Sequence, residues 1–315
     1  MAKGWGGRDG TAKGKKKKKR KKWLLLLLLL LLLGGVMAVL YLIWQDVVPR
    51  WEAERDYERI RELAYSYLDD GDGAWDEGAG AQVGAGMTGG SGSGGVQRPG
   101  GKPNFQALEV EYPDIIGWIY SPGTVIDYPV VQGPDNQYYL GRLPDGRKSV
   151  VGSVFLEAAN SPDFSDDVSV LYGHHIKGGR MFSSLEGYRK QSYYEEHPAM
   201  VLYTRDVTYD VLLFAADMSR GSIGSFPINF GTGEENRKKR EDWVKQCLQK
   251  STFSSNIVPE DTDRILALVT CTYDYADARY VVMGVLSPRD GGTAPPAGDA
   301  GHGNPLAGDG DRPGD

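Results

Sequence analysis

Cysteine and histidine are scarce: the 315-residue chain holds two of the first and four of the second. Two thiols, Cys247 and Cys271, can neither staple a disulfide scaffold nor complete a four-thiolate zinc site. Acidic residues are almost missing from residues 1–22, where Asp9 alone faces eleven Lys/Arg; that stretch carries +10 and the remainder −16, within a net charge of −6. Net positive charge confined to one end excludes a basic nucleic-acid-binding protein. Glycine is plentiful at 43, but it gathers in 71–101 and 291–310 without a three-residue period, which excludes a collagen-like fibre.

Charge is absent from Trp23 to Trp44, a run of 22 residues. At 1.5 Å per residue it reaches about 33 Å, against a hydrocarbon core of about 30 Å, so one helix spans a bilayer. The basic cluster Lys15–Lys22 on its amino side predicts a cytoplasmic N-terminus with everything after residue 45 outside. The run is longer than the apolar part of a signal peptide and no small-residue cleavage site follows promptly, so the expectation is an uncleaved, single-pass anchor in the cell membrane.

The chain then divides by composition. Residues 45–70 read as a juxtamembrane helix, with Trp51, Tyr57, Ile60, Leu63, Ala64 and Tyr67 near helical spacing. Residues 71–103 read as a Gly-rich flexible linker with an r.m.s. reach of about 30 Å. Residues 289–315 read as a disordered C-terminal tail. The folded domain is therefore expected over 104–288, behind a basic tail (1–22) and the anchor (23–44).

Within 104–288 strand signals dominate: 124–132, 149–157, 167–174, 199–204, 208–216, 264–273 and 279–286 are rich in β-branched and aromatic residues. One clear helix is predicted, Glu234–Lys250, with Trp243, Val244, Cys247 and Leu248 on its apolar face. Many short strands with no βαβ alternation predict an all-β-dominated domain, a closed antiparallel or mixed barrel with a few peripheral helices.

Few residues there can do chemistry. Cys247, on an apolar helix face, reads as a small hydrophobe. Cys271 ends the apolar run Ile265–Thr270 where the sequence turns polar, a strand exit of the kind that carries site residues. His174 has the same position after Val168–Gly173, followed by the turn Lys177-Gly178-Gly179-Arg180. A thiol and an imidazole at strand ends are the minimum pair for nucleophilic acyl transfer, and two satisfied polar residues are the alternative. Arg279, eight residues past Cys271 across a hairpin turn, would stand beside the thiol as an oxyanion donor, or pair with Asp274 or Asp277. A metal held by His174 and His175 is disfavoured because neighbours on a strand point to opposite faces. A Cys247–Cys271 disulfide is a minor alternative.

The ordered motifs Tyr112-Pro113-Asp114-Ile115-Ile116-Gly117-Trp118, Asp135-Asn136-Gln137-Tyr138-Tyr139-Leu140, Leu171-Tyr172-Gly173-His174, Leu268-Val269-Thr270-Cys271-Thr272-Tyr273 and Arg279-Tyr280-Val281-Val282 resemble the sortases, most closely class B. The resemblance covers essentially all of 104–288. The family's Thr-Leu-x-Thr-Cys signature has Ala267 in its first position here. The resemblance implies a sortase-type barrel of about eight strands, with Cys271 as nucleophile, His174 as general acid/base and Arg279 as the oxyanion-stabilising or substrate-orienting cation. It implies substrate contacts from Asn136, Leu140 and Thr270, assigns no role to His175, and implies no metal and no cofactor.

The implied activity is transpeptidation of secreted proteins at a C-terminal sorting motif, of Asn-Pro-x-Thr-x type, in a Gram-positive envelope. The acceptor would be an amine of a peptidoglycan precursor or of a pilin; no nucleic acid takes part. Alternatives are a thiol peptidase that releases the acyl-enzyme to water, and a catalytically silent binding domain. Asn304-Pro305-Leu306-Ala307-Gly308 loosely resembles a sorting motif but lacks a following apolar segment, and reads as coincidence.

Overall fold

The computed structural model describes residues 10–65, 101–176, 179–220, 226–271 and 278–289. Residues 1–9, 66–100, 177–178, 221–225, 272–277 and 290–315 lie outside them, and with them most of the expected linker and nearly all of the expected C-terminal tail. Two compact units divide the chain, Met1–Arg55 and Asp56–Asp315. Helix α1 (Gly10–Tyr65) contributes to both. In the first unit the side chains from Trp23 to Trp44 are exposed and apolar on every face. Such a helix suits a lipid surround, and among the described residues α1 alone is long and apolar enough to cross a membrane.

In the second unit eight strands close a barrel: β1 (Ile115–Tyr120), β2 (Asp127–Val131), β3 (Val154–Leu156), β4 (Val168–Gly173), β7 (Ala199–Thr204), β8 (Thr208–Arg220), β9 (Ile265–Cys271) and β10 (Ala278–Pro288). Their order around the wall is β1-β2-β3-β4-β9-β10-β8-β7. β2 with β3 and β4 with β9 are parallel, and the other pairs are antiparallel. The mixed barrel expected from the strand pattern is thus observed. β5 (His175–Ile176) and β6 (Arg180–Met181) make a separate small hairpin. Strands buried on both faces explain the continuous apolar runs: Val168–Gly173 is buried throughout, as are Ile265–Thr270.

Three differences from the sequence reading have local causes. β1 carries Gly117 in its middle and gave no strand signal; a Cβ there would meet Tyr203 O at 3.1 Å, so only glycine lets this strand approach β7. The 149–157 run is extended only at Val154–Leu156, because Gly152 sits at φ +63° and turns the chain. On α4 (Glu234–Lys250) the buried face includes Arg240 beside Val244, where apolar residues alone were expected. The Arg240 guanidinium donates to the Glu260 carbonyl at 2.7 Å and the Asp263 carbonyl at 2.5 Å, and so holds the chain leading into β9.

The second unit begins before the Gly-rich stretch. Tyr57, Ile60 and Ala64 of α1 are buried in it, at i, i+3 and i+7. Asn104 N donates to Ala64 O at 2.9 Å, and Asn104 Oδ1 then caps α2 (Phe105–Glu111) through Ala107 N at 3.0 Å. The end of α1 at Tyr65 and the residues from Asn104 onward therefore belong to one unit, and most of the expected linker 71–103 lies outside the described residues.

Candidate active site

The end of β4, the end of β9 and the start of β10 meet at one rim of the barrel. Gly173 on β4 pairs with Thr270 on β9. Arg279 on β10 pairs with Cys271 on β9. His174 follows Gly173 directly, so the three candidate residues stand on or next to adjacent strands at one end of the barrel. Their segments are about a hundred residues apart in the chain, and only the parallel β4–β9 pairing brings them together.

The position of His174 is set from three sides. Its Nε2 lies 2.6 Å from the carbonyl oxygen of Leu140, in the single turn Tyr139–Gly141. Phe182 packs over the preceding residue; a Cβ on Gly173 would lie 2.7 Å from its ring, so glycine is required there. Phe182 N also donates to His174 O at 3.1 Å. On the remaining side is Gly152, where an added Cβ would come within 2.9 Å of His174 Cδ2. His175 turns elsewhere, placing Nε2 3.3 Å from Glu186 Oε2. The two adjacent histidines thus serve different partners.

The expected substrate contacts are placed as follows. Leu140 is half-buried beside His174 and supplies the carbonyl just described. Thr270 is buried in β9 between Gly173 and Tyr280. Asn136 is tied to the protein: Ala158 N donates to its Oδ1 at 2.8 Å, and its Nδ2 donates to the buried Glu157 carboxylate. Glu157 also accepts from Tyr172 OH at 2.9 Å. Arg279 is half-buried.

Cys247 of α4 lies in a cavity of about 140 Å³ lined by Asp217, Phe226, Trp243 and Met283 among others. Burial, and then the nearby Asp217, push its thiol up to about 12, so it stays protonated and inert at neutral pH. Asp217 itself is raised, mainly by burial.

Sequence reasoning missed Glu157 and the Tyr57 hydroxyl of α1, which donates to the Gly152 carbonyl at 2.6 Å. The signal for the latter was present in the Tyr57, Ile60, Ala64 spacing, which marks a buried helix face without naming what it packs on.

The Sortase domain family profile matches residues 119–287. Sortase B of Listeria monocytogenes is 31% identical over 175 residues, covering 55% of this chain and 70% of its own. Sortase B of Staphylococcus aureus is 32% identical over 184 residues, covering 58% and 74%. The solved Staphylococcus aureus sortase B–substrate complex superimposes with a TM-score of 0.54 at 30% identity, over 59% of this chain and 85% of that one.

Proposed function

This chain belongs to the sortase family, among its class B members, and from that premise we propose that Cys271 is the nucleophile of a membrane-anchored transpeptidase, with His174 as acid/base and Arg279 as oxyanion donor. The observation that carries the assignment is the strand register, which sets Cys271 opposite Arg279 and one residue along from the Thr270–Gly173 pair that precedes His174.

The hydrogen bond to Leu140 supports one division of the proton traffic. A carbonyl oxygen only accepts, so His174 Nε2 keeps its hydrogen while the 2.6 Å contact lasts, and Nδ1 is the nitrogen that gains and loses a proton. With both nitrogens protonated, the imidazolium supports a Cys271 thiolate. The thiolate adds to a backbone carbonyl of the sorting motif, and the negative oxygen that forms is stabilised by the Arg279 guanidinium. As the C–N bond breaks, Nδ1–H protonates the departing amine and a thioester remains on Cys271. An incoming amine, deprotonated by Nδ1, attacks the thioester; the new amide forms and the thiolate leaves.

Asn136, Leu140 and Thr270 are proposed to border the groove for the motif, of Asn-Pro-x-Thr-x type. The substrate is a secreted protein carrying that motif near its C-terminus, and the acceptor is a peptidoglycan-precursor or pilin amine. The apolar run Trp23–Trp44 is proposed to anchor the chain with its N-terminus cytoplasmic and the barrel outside, which raises the effective concentration of substrates held at the same bilayer.

The test mixes the full chain in detergent with an Asn-Pro-x-Thr-x peptide library and a panel of amines, followed by mass spectrometry, with Cys271→Ala as control. The expected result is a thioester on Cys271 and an amine-capped product. A free acid with every amine would make the protein a thiol peptidase, and no adduct on folded, reduced protein would overturn the assignment.

A further inference from the structure

The segment of α1 that lies in the barrel unit reaches the surroundings of His174 through one side chain. Tyr57 is buried, and its hydroxyl donates to the carbonyl of Gly152 at 2.6 Å. Gly152 is the residue against which the His174 ring rests. Its φ of +63° is open to glycine at little cost, and an added Cβ would run into both the Leu140 carbonyl and His174 Cδ2. The next residue, Ser153, donates from N to Tyr139 O at 3.0 Å, which ties the same loop to the turn that presents Leu140.

A second line runs through the Tyr57 ring. It meets Tyr128 edge-on, with centroids 5.2 Å apart. Tyr128 OH accepts from Met181 N at 3.1 Å, and Met181 pairs with His175 and precedes Phe182, which covers Gly173. Tyr57 thus bonds Gly152 directly and reaches the Met181–Phe182 segment through Tyr128. Burial pushes the Tyr57 hydroxyl well above its usual range, so it remains a donor at any physiological pH.

We infer that Tyr57, on the helix that continues from the apolar segment, is a positioning residue for His174: its hydroxyl fixes Gly152 and thereby the register of the imidazole against the Leu140 carbonyl. The inference rests on the catalytic reading of His174 and adds to it a part of the chain that precedes the Sortase domain match at 119–287. Asp56, next to Tyr57, pairs with Arg147 at 2.8 Å, a second tie from this helix to the loop that ends in Gly152.

The test uses the full chain in detergent and compares Tyr57→Phe, Gly152→Ala and His174→Ala with the parent. Tyr57→Phe keeps the ring and removes only the hydroxyl. The readouts are kcat and KM for acyl transfer, the alkylation rate of Cys271 at fixed pH followed by peptide mass spectrometry, the ¹⁵N shifts of the His174 ring, and Tm. The expected result for Tyr57→Phe is a kcat about tenfold lower with KM within about twofold, and a His174 ¹⁵N pattern that no longer reports one fixed Nε2–H tautomer. Gly152→Ala should show the same signature more strongly.

Unchanged kcat and unchanged ¹⁵N shifts in Tyr57→Phe overturn the inference, whatever happens to Tm. If His174→Ala leaves both acyl transfer and Cys271 alkylation unchanged, the catalytic reading falls and the inference falls with it. A lower Tm without the kcat and ¹⁵N effects would make Tyr57 a stabilising residue only, which also overturns it.

Discussion

Arg279 stands directly opposite Cys271 in the β9–β10 ladder. The backbone register thus sets the two residues at the same level on neighbouring strands. Arg279→Ala should lower kcat by about 10²–10³, the usual loss for one oxyanion donor. Arg279→Lys keeps the charge without the planar fork and should fall between. Steady-state kinetics on a motif peptide check both.

His174→Ala should reduce thioester formation by about 10²–10⁴, the range for a positioned acid/base. Cys247→Ala should leave it unchanged, because the Cys247 thiol is raised to about 12 and takes no part. Quenched-flow mass spectrometry of the acyl-enzyme separates the two.

Asp217 gives a pH prediction. Burial raises its carboxyl above the ordinary 3.8, against smaller opposing effects of the Met218 backbone and Lys250. The folded protein therefore holds that proton more tightly than the unfolded chain, so stability from this group declines as pH rises from about 3.8 through the raised folded value. Asp217→Asn removes the decline: its Tm should exceed the parent's at pH 7, and the gap should close near pH 3. Because Asp217 also helps raise the Cys247 thiol, the same variant should alkylate Cys247 at lower pH.

Asn136→Ala leaves the Ala158 N–H and one oxygen of the buried Glu157 carboxylate without their partner. The expected loss is about 1–3 kcal/mol in urea unfolding. Tyr172→Phe, which removes the other donor to Glu157, should cost about as much.

A chain starting at residue 104 lacks the helix face formed by Tyr57, Ile60 and Ala64. Re-exposing such a contact costs about 1.5–3 kcal/mol for each large apolar side chain. Residues 104–315 should unfold at clearly lower urea than residues 46–315, as followed by tryptophan fluorescence.

How much of this was legible in the sequence depends on the range of the interaction. Strands β4, β7, β9 and β10 were legible because nearly all their described residues are buried, which leaves long apolar runs, and β8 was legible from its buried stretch Leu213–Ala216. Helix α4 showed its period, although Arg240 on its buried face ran against it. Cys271, His174 and Arg279 were legible as residues at strand ends. The pairing of Cys271 with Arg279 was legible in their eight-residue spacing, but the approach of His174 was not, since Gly173 and Thr270 are joined by a parallel pairing that no local pattern announces. Tyr57 and Gly152, 95 positions apart, are joined only by packing. Asn136 was legible as a motif residue, but its bond to Glu157 was not.

The 2.9 Å hydrogen bond between Asn104 N and Ala64 O fixes two distant points of the chain side by side. For a stretch closed between fixed points, the entropy of closure grows only with the logarithm of length, so doubling it costs about 0.6 kcal/mol. Doubling the number of residues between these two points is therefore expected to leave the folding free energy of the second unit nearly unchanged, as read in urea unfolding.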